Sequence, residues 1–129
     1  MSLATNERKM WIKLVTGFLI ITILKEKSAY GNQIAEEISR LTEATIKPNP
    51  NFIYPLLRQM EEDGYVQGSW ENPKTRGKRI YTLTVSGLAY FERVKEVVKF
   101  KFLELEQCQT VMRRLLFGEA IKEKSENYD

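Results

Sequence analysis

The pattern of apolar and polar positions changes twice along the chain. Up to about residue 63, apolar residues recur at spacings of three and four, which predicts amphipathic helices. Strand-forming residues then dominate two short runs on either side of a turn, and helical spacing returns after residue 84. The predicted elements are helices over 8–25, 32–41 and 51–63, a hairpin with strands over 65–71 and 78–83, and a long helix over 85–118. We therefore predict a mainly α fold with a small β-hairpin.

The third predicted helix has recognisable ends. Asn49 and Asn51 are both favourable capping residues, and Pro50 suits a first helical position. Gly64 suits the position after the last turn. Pro55 fits only within a first turn, so we expect the helix to begin near Asn51. One face is apolar and should join the core; it carries Ile53, Leu56, Leu57 and Met60.

A second face of this helix carries an amide, a phenol and a guanidinium. Asn51, Tyr54 and Arg58 recur at spacings of three and four, so they lie on one side. Such groups bind phosphates and base edges in nucleic acids. The alternative is a solvated helix face on which Arg58 only pairs with Glu62, four residues further on.

The hairpin following this helix is basic. Its tip and second strand carry Lys74, Arg76, Lys78 and Arg79. No acidic residue lies between Glu71 and Thr84. A phosphate backbone would relieve the repulsion among these cations and release counterions. The alternative is a tip kept soluble by charge. Three helices followed by a basic hairpin form the outline of a winged helix-turn-helix.

The long helix is expected to start after Thr84 and to dimerise. A heptad period, with Lys101 as its one exception, predicts a seam of Phe91, Val94, Val98, Leu105, Cys108, Met112 and Leu115. Phe102 widens the apolar surface beside this seam and is predicted to join the dimer contact. So long a stripe exceeds what the small preceding domain can cover, and a second copy of the chain is the simplest partner. The alternative is a protein-interaction module that uses this helix and binds no operator.

Composition narrows the functional classes. The chain has 129 residues, a net charge of +3, no histidine and a single cysteine, Cys108. Without histidine, paired carboxylates in an apolar setting or a glycine-rich phosphate loop, we expect no enzyme, no metal site and no cofactor. A lone cysteine fits the cytoplasm. We predict a DNA-binding domain over 1–84, a dimerisation helix over 85–118 and a charged, disordered tail over 119–129.

Several segments between about residues 12 and 90 resemble the PadR family of transcriptional regulators. Lys-Pro-x-Pro followed by Tyr-Pro-x-Leu is the most specific part of the resemblance, at residues 47–57. The remaining segments are Tyr-Gly-Asn-Gln-Ile-Ala at 30–35, Glu-Glu-Asp-Gly-Tyr-Val at 61–66, and Lys-Arg-Ile-Tyr-Thr-Leu-Thr at 78–84 with Gly87. The long last helix matches the family's shorter subgroup in kind only.

The resemblance implies a homodimeric repressor that binds an inverted-repeat operator in double-stranded DNA. A small molecule at the dimer interface, or another signal, would release it. The family usually has a tyrosine directly after the glycine of the second helix, whereas this chain has Asn32 there and Tyr30 before Gly31. The resulting set of predicted DNA-binding residues is Tyr30, Asn32, Lys47, Asn49, Asn51, Tyr54, Arg58, Lys74, Arg76 and Lys78.

Overall fold

The computed structural model of the chain describes residues 3–74 and 77–118. It is mainly helical with one small antiparallel sheet, as predicted. The elements in chain order are α1 (Leu3–Glu26), β1 (Ala29–Tyr30), α2 (Gly31–Leu41), α3 (Pro50–Glu62), β2 (Val66–Trp70), β3 (Arg79–Leu83) and α4 (Val85–Phe117). The expected tail lies outside the described residues.

Helix α3 begins one residue earlier than predicted, at Pro50. The side chain of Asn49 accepts a hydrogen bond of 2.8 Å from the backbone N–H of Asn51, which confirms the first expected cap. Pro55 therefore falls in the second turn, and its expected place in the first turn was wrong. Pro55 has no N–H to donate to the carbonyl of Asn51, four residues earlier, and both residues are exposed.

The sheet has three strands, in the order β1-β3-β2. The predicted hairpin is formed by β2 and β3, in which Gly68 pairs with Tyr81 and Trp70 pairs with Arg79. The short strand β1 was not among the predicted elements, which left residues 26–31 as a connector between the first two helices. Ala29 pairs with Tyr81 in the structure, so β1 closes the sheet on the side opposite the hairpin partner.

The core lies between the first three helices and the sheet. The apolar face predicted for α3 is buried, with Ile53 and Leu57 fully inaccessible. Seven large side chains form the centre of the core: Ile20, Ile21, Ile34, Ile38, Ile53, Leu57 and Val66. Burying each of them stabilises the fold by about 1.5–3 kcal/mol relative to leaving it exposed. This core holds α3 with its polar face outward.

A tight junction joins the end of α3 to the start of α4. The hydroxyl of Thr84 donates to the carbonyl of Gly64 at 2.6 Å and accepts from the N–H of Gly87 at 3.0 Å, so Thr84 caps α4 as expected. A Cβ added at Gly87 would overlap the backbone carbonyl of Tyr65. Glycine is therefore required for the first turn of α4 to lie against that carbonyl.

Intrachain contacts divide the chain into two compact units, one ending at Lys95 and the other beginning at Glu96. We expected a boundary after Thr84 and a dimer seam beginning at Phe91. Phe91 and Val94 are instead buried in the first unit, where the Phe91 ring stacks on Phe18 with centroids 5.2 Å apart. Both residues belong to the chain's own core because the first turns of α4 complete it.

Candidate nucleic-acid interface

The outer face of α3 presents the three side chains singled out from the sequence. Asn51, Tyr54 and Arg58 are all exposed, on the side away from the buried Ile53 and Leu57. The helix thus divides into a core face and a polar face. The spacing of the polar residues places them on successive turns of one surface.

A cleft of about 650 Å³ brings five of the predicted residues together. Its walls are the start of α2, the outer face of α3, and the hairpin of β2 and β3, which we call the wing. The predicted residues that line it are Tyr30, Asn32, Tyr54, Arg58 and Lys78. Residues that were not predicted complete the lining: Gly31, Glu61, Trp70, Gly77, Arg79 and Tyr81.

The other predicted DNA-binding residues lie outside this cleft. Asn51 lines a separate cavity of about 280 Å³, and the Asn49 side chain is engaged in capping α3. Lys47 is exposed in the connector before α3. Lys74 is exposed at the start of the wing tip, where its N–H donates to the side chain of Asn72. Arg76 lies outside the described residues.

The charge of Arg58 is not neutralised by its helical neighbours. Within residues 3–74 and 77–118, ion pairs form between Arg40 and Glu37, between Arg79 and Glu61, and between Lys101 and Glu104, whereas Arg58 makes none. The alternative pairing of Arg58 with Glu62 is therefore not formed in the free chain. Arg79 was expected to add to the repulsion among the wing cations, but its charge is balanced by Glu61.

Tyr30 connects the start of α2 to the wing. Its hydroxyl donates to Glu71 at 2.8 Å, and the Nζ of Lys78 lies 5.3 Å from the centroid of its ring. The hydrogen bond to the Glu71 carboxylate raises the pKa of Tyr30 above its ordinary value. The phenol is therefore protonated at neutral pH and remains a donor. Its backbone N–H donates to Gln33, which stabilises the first turn of α2.

Gly31 sets how closely α2 approaches the outer face of α3. A Cβ added there would overlap Cε1 of Tyr54 and lie 3.2 Å from its Cζ. This close approach was not predicted from the sequence, since the ring beside Gly31 comes from a residue 23 positions away. The tyrosine ring is thus seated directly over the backbone of α2, which orients its hydroxyl.

Comparison with known proteins identifies the family. Residues 20–93, more than half of the chain, match the transcriptional regulator PadR-like family. The chain belongs to the PadR-like family. An uncharacterized protein of Lysinibacillus sphaericus is 29% identical over 85 residues, which cover 64% of this chain and 78% of that protein.

Solved structures of PadR-like proteins share the fold. A PadR family transcription regulator from Clostridium difficile is 25% identical with a TM-score of 0.59, and the match covers 73% of this chain and 97% of that one. A PadR-like transcription factor from Bacteroides fragilis is 22% identical with a TM-score of 0.63, covering 80% and 98%. The winged-helix arrangement of this chain is therefore that of its family.

Membership of the PadR-like family makes this protein a DNA-binding transcriptional regulator, of a family whose members are regulatory proteins rather than enzymes. Within the described residues, no group of three or more Cys, Asp or Glu side chains is placed to hold a metal ion. In the same part of the chain, no helix is long and apolar enough to cross a membrane.

Proposed function

We propose that this PadR-like regulator is a homodimeric repressor that binds an inverted-repeat operator in double-stranded DNA. A small molecule at the dimer interface, or another signal, releases it. The observation that carries the proposal is the cleft between α2, α3 and the wing. It gathers Tyr54, Arg58 and Lys78 on one concave surface next to the exposed face of α3.

The side chains along this surface have different roles in the proposal. Arg58 is exposed and makes no ion pair within the described residues, so its guanidinium is available for bidentate pairing with a guanine in the major groove. Tyr54 has a single hydroxyl, which suits a phosphate oxygen better than a base edge. Lys74 and Lys78 of the wing bind flanking phosphates and add affinity without sequence preference.

Dimerisation is proposed from the second unit of the chain, taken by itself. Its seam residues expose large apolar surfaces, including Phe102 at 57%, Leu105 at 49% and Leu115 at 69%. Met112 and Cys108 are exposed along the same stripe. A second copy of the helix would bury these side chains, and two copies related by a twofold axis would place two α3 helices on an inverted repeat.

The deciding experiment is Arg58→Ala, assayed on operator and random DNA at one salt concentration. The operator is first obtained by selecting bound sites from random DNA, which we expect to yield inverted repeats. Losing a bidentate contact lowers the operator-to-random affinity ratio by about tenfold or more and relaxes preference at one base pair per half-site.

Tyr54→Phe is the matched control for Arg58→Ala. Tyr54→Phe removes a phosphate contact from the same helix face. The affinities for operator and random DNA should therefore fall by similar factors, and the operator-to-random ratio should stay unchanged. If the ratio for Arg58→Ala equals that of the unmodified protein, Arg58 does not read a base. Selected sites without twofold symmetry would contradict the inverted-repeat part of the proposal.

A further inference from the structure

One ion pair crosses from the recognition helix to the base of the wing. Glu61 lies in the last turn of α3, and its carboxylate accepts a hydrogen bond from the guanidinium of Arg79, the first residue of β3. The Arg79 guanidinium carbon also lies 5.0 Å from the centroid of the Trp70 ring. Trp70 is the cross-strand partner of Arg79, so one arginine connects α3, β2 and β3.

This pair is more sheltered than the Arg40–Glu37 and Lys101–Glu104 pairs. The Arg79 and Glu61 side chains are 27% and 29% exposed, compared with 68% and 37% for Arg40 and Glu37. Partial removal from water weakens screening and favours a defined geometry over the loose pairing typical of protein surfaces. The three connected groups also line the cleft that holds Arg58.

Gly68 has no side chain, which leaves the space that the Glu61–Arg79 ion pair occupies. A Cβ added to this β2 residue would lie 2.6 Å from Nε of Arg79 and 2.9 Å from Oε1 of Glu61. Gly68, Trp70 and Arg79 share one face of the hairpin, because side chains alternate along a strand and Gly68 pairs with Tyr81. The absence of a side chain at Gly68 therefore leaves room for the ion pair on this face of the wing.

We propose that Glu61 and Arg79 are positioning residues that hold the wing at a set angle to α3. The wing cations then reach phosphates while α3 occupies the major groove. Neutralised by Arg79, Glu61 can lie beside the DNA-binding cleft without an unpaired negative charge. The inference rests on the DNA-binding role proposed above, and it assigns Arg79 to wing placement rather than to phosphate contact.

The test compares Glu61→Ala with Glu62→Ala. Both substitutions remove one carboxylate from the same end of α3 and change the net charge equally, but only Glu61 belongs to the pair. Relative to Glu62→Ala, we expect Glu61→Ala to weaken operator binding by about fivefold, within the range of coupling between contacting residues. We also expect a smaller dependence of affinity on salt, because the released wing makes fewer phosphate contacts.

Gly68→Ala provides a second variant that leaves every charge in place. The atoms its methyl group would meet are the ends of flexible side chains, so the fold tolerates the change while the pair is displaced. With Trp11→Phe in the background, Trp70 becomes the sole tryptophan, and its emission reports whether the guanidinium still lies over the ring. We expect changed emission together with the loss of affinity and of salt dependence seen for Glu61→Ala.

A double-mutant cycle with Arg79→Gln separates positioning from mere stability. Positioning predicts that Glu61→Ala and Arg79→Gln are coupled in operator affinity as well as in melting temperature. Coupling in melting temperature alone, or equal affinities for Glu61→Ala and Glu62→Ala, overturns the proposal. The salt dependence on random DNA requires no base reading, so this outcome is independent of the Arg58→Ala ratio.

Discussion

Replacing Gly31 with alanine tests whether the close approach of α2 orients Tyr54 for DNA. Gly31 is the first residue of α2 and is not among the glycines with positive φ, so its backbone accepts alanine. At such a site, Gly→Ala stabilises a protein by about 0.4–1 kcal/mol through the unfolded chain. The opposing effect is steric, because the new methyl group would overlap the Tyr54 ring.

The size of each effect follows from the surroundings of Tyr54. The ring must retreat by roughly 1 Å to restore carbon–carbon separations of about 3.5 Å. Tyr54 is 39% exposed, so the ring can move outward into solvent without disturbing the core. We therefore expect the free energy of unfolding to change by less than about 1 kcal/mol, because the conformational gain offsets the residual strain.

DNA affinity should respond more strongly than stability. A hydrogen bond to a charged group contributes about 1.5–3 kcal/mol, so a displaced Tyr54 hydroxyl costs about tenfold or more in affinity per phosphate contact. Fluorescence anisotropy with labelled operator and random DNA measures this loss, which should be similar for both. Denaturant unfolding of the same samples measures stability.

Tyr54→Phe is the control for Gly31→Ala, since it removes the hydroxyl without moving the backbone. In the Tyr54→Phe background, Gly31→Ala should have little further effect on affinity, because the contact it disturbs is already absent. An undiminished loss in that background would refute the argument that the glycine acts through Tyr54. Destabilisation well above 1 kcal/mol would show that the ring cannot move as described.

Two further predictions concern the wing and the long helix. Lys78→Ala should lower the affinities for operator and random DNA by similar factors. It should also reduce the slope of log affinity against log salt concentration by about two per dimer, one for each phosphate contact. An unchanged slope would mean that Lys78 does not contact the DNA backbone. Replacing Val98 and Leu105 with glutamate should place unpaired charges in the proposed seam and dissociate the dimer. Sedimentation checks this, and an unmodified protein that sediments as a monomer at micromolar concentration would contradict the dimer.

The elements with a sustained period were predictable from sequence. The core face of α3 was found from Ile53 to Met60 because its side chains repeat at helical spacing, and the end of the helix from Gly64, which adopts a positive φ of 82°. The outward face was identified by the same geometry, since residues on the opposite side of an amphipathic helix must face solvent. Local chemistry was sufficient for these features.

Features that depend on distant partners were not predictable in this way. Strand β1 has only two residues, too few for a period, and exists through its pairing with β3 about 50 positions later. The heptad pattern placed Phe91 in a seam with a second chain, whereas its ring stacks on Phe18 of the same chain. To predict the pairing of Glu61 with Arg79, the position of the hairpin against α3 must be known, and no single segment of the sequence specifies that position.

The junction around Thr84 has a consequence for how movement would pass through the molecule. Gly64 and Tyr65 lie two and three residues beyond the end of α3. Thr84, which caps α4, donates hydrogen bonds to both of their carbonyls, and Gly87 in the first turn of α4 lies close to Tyr65. The Gly87 backbone already lies against the Tyr65 carbonyl, so the start of α4 cannot move closer to the segment that follows α3. A rotation of the first turn of α4 must therefore shift the end of α3 with it. A movement at the start of α4 would thus reach α3 through this junction without melting of secondary structure.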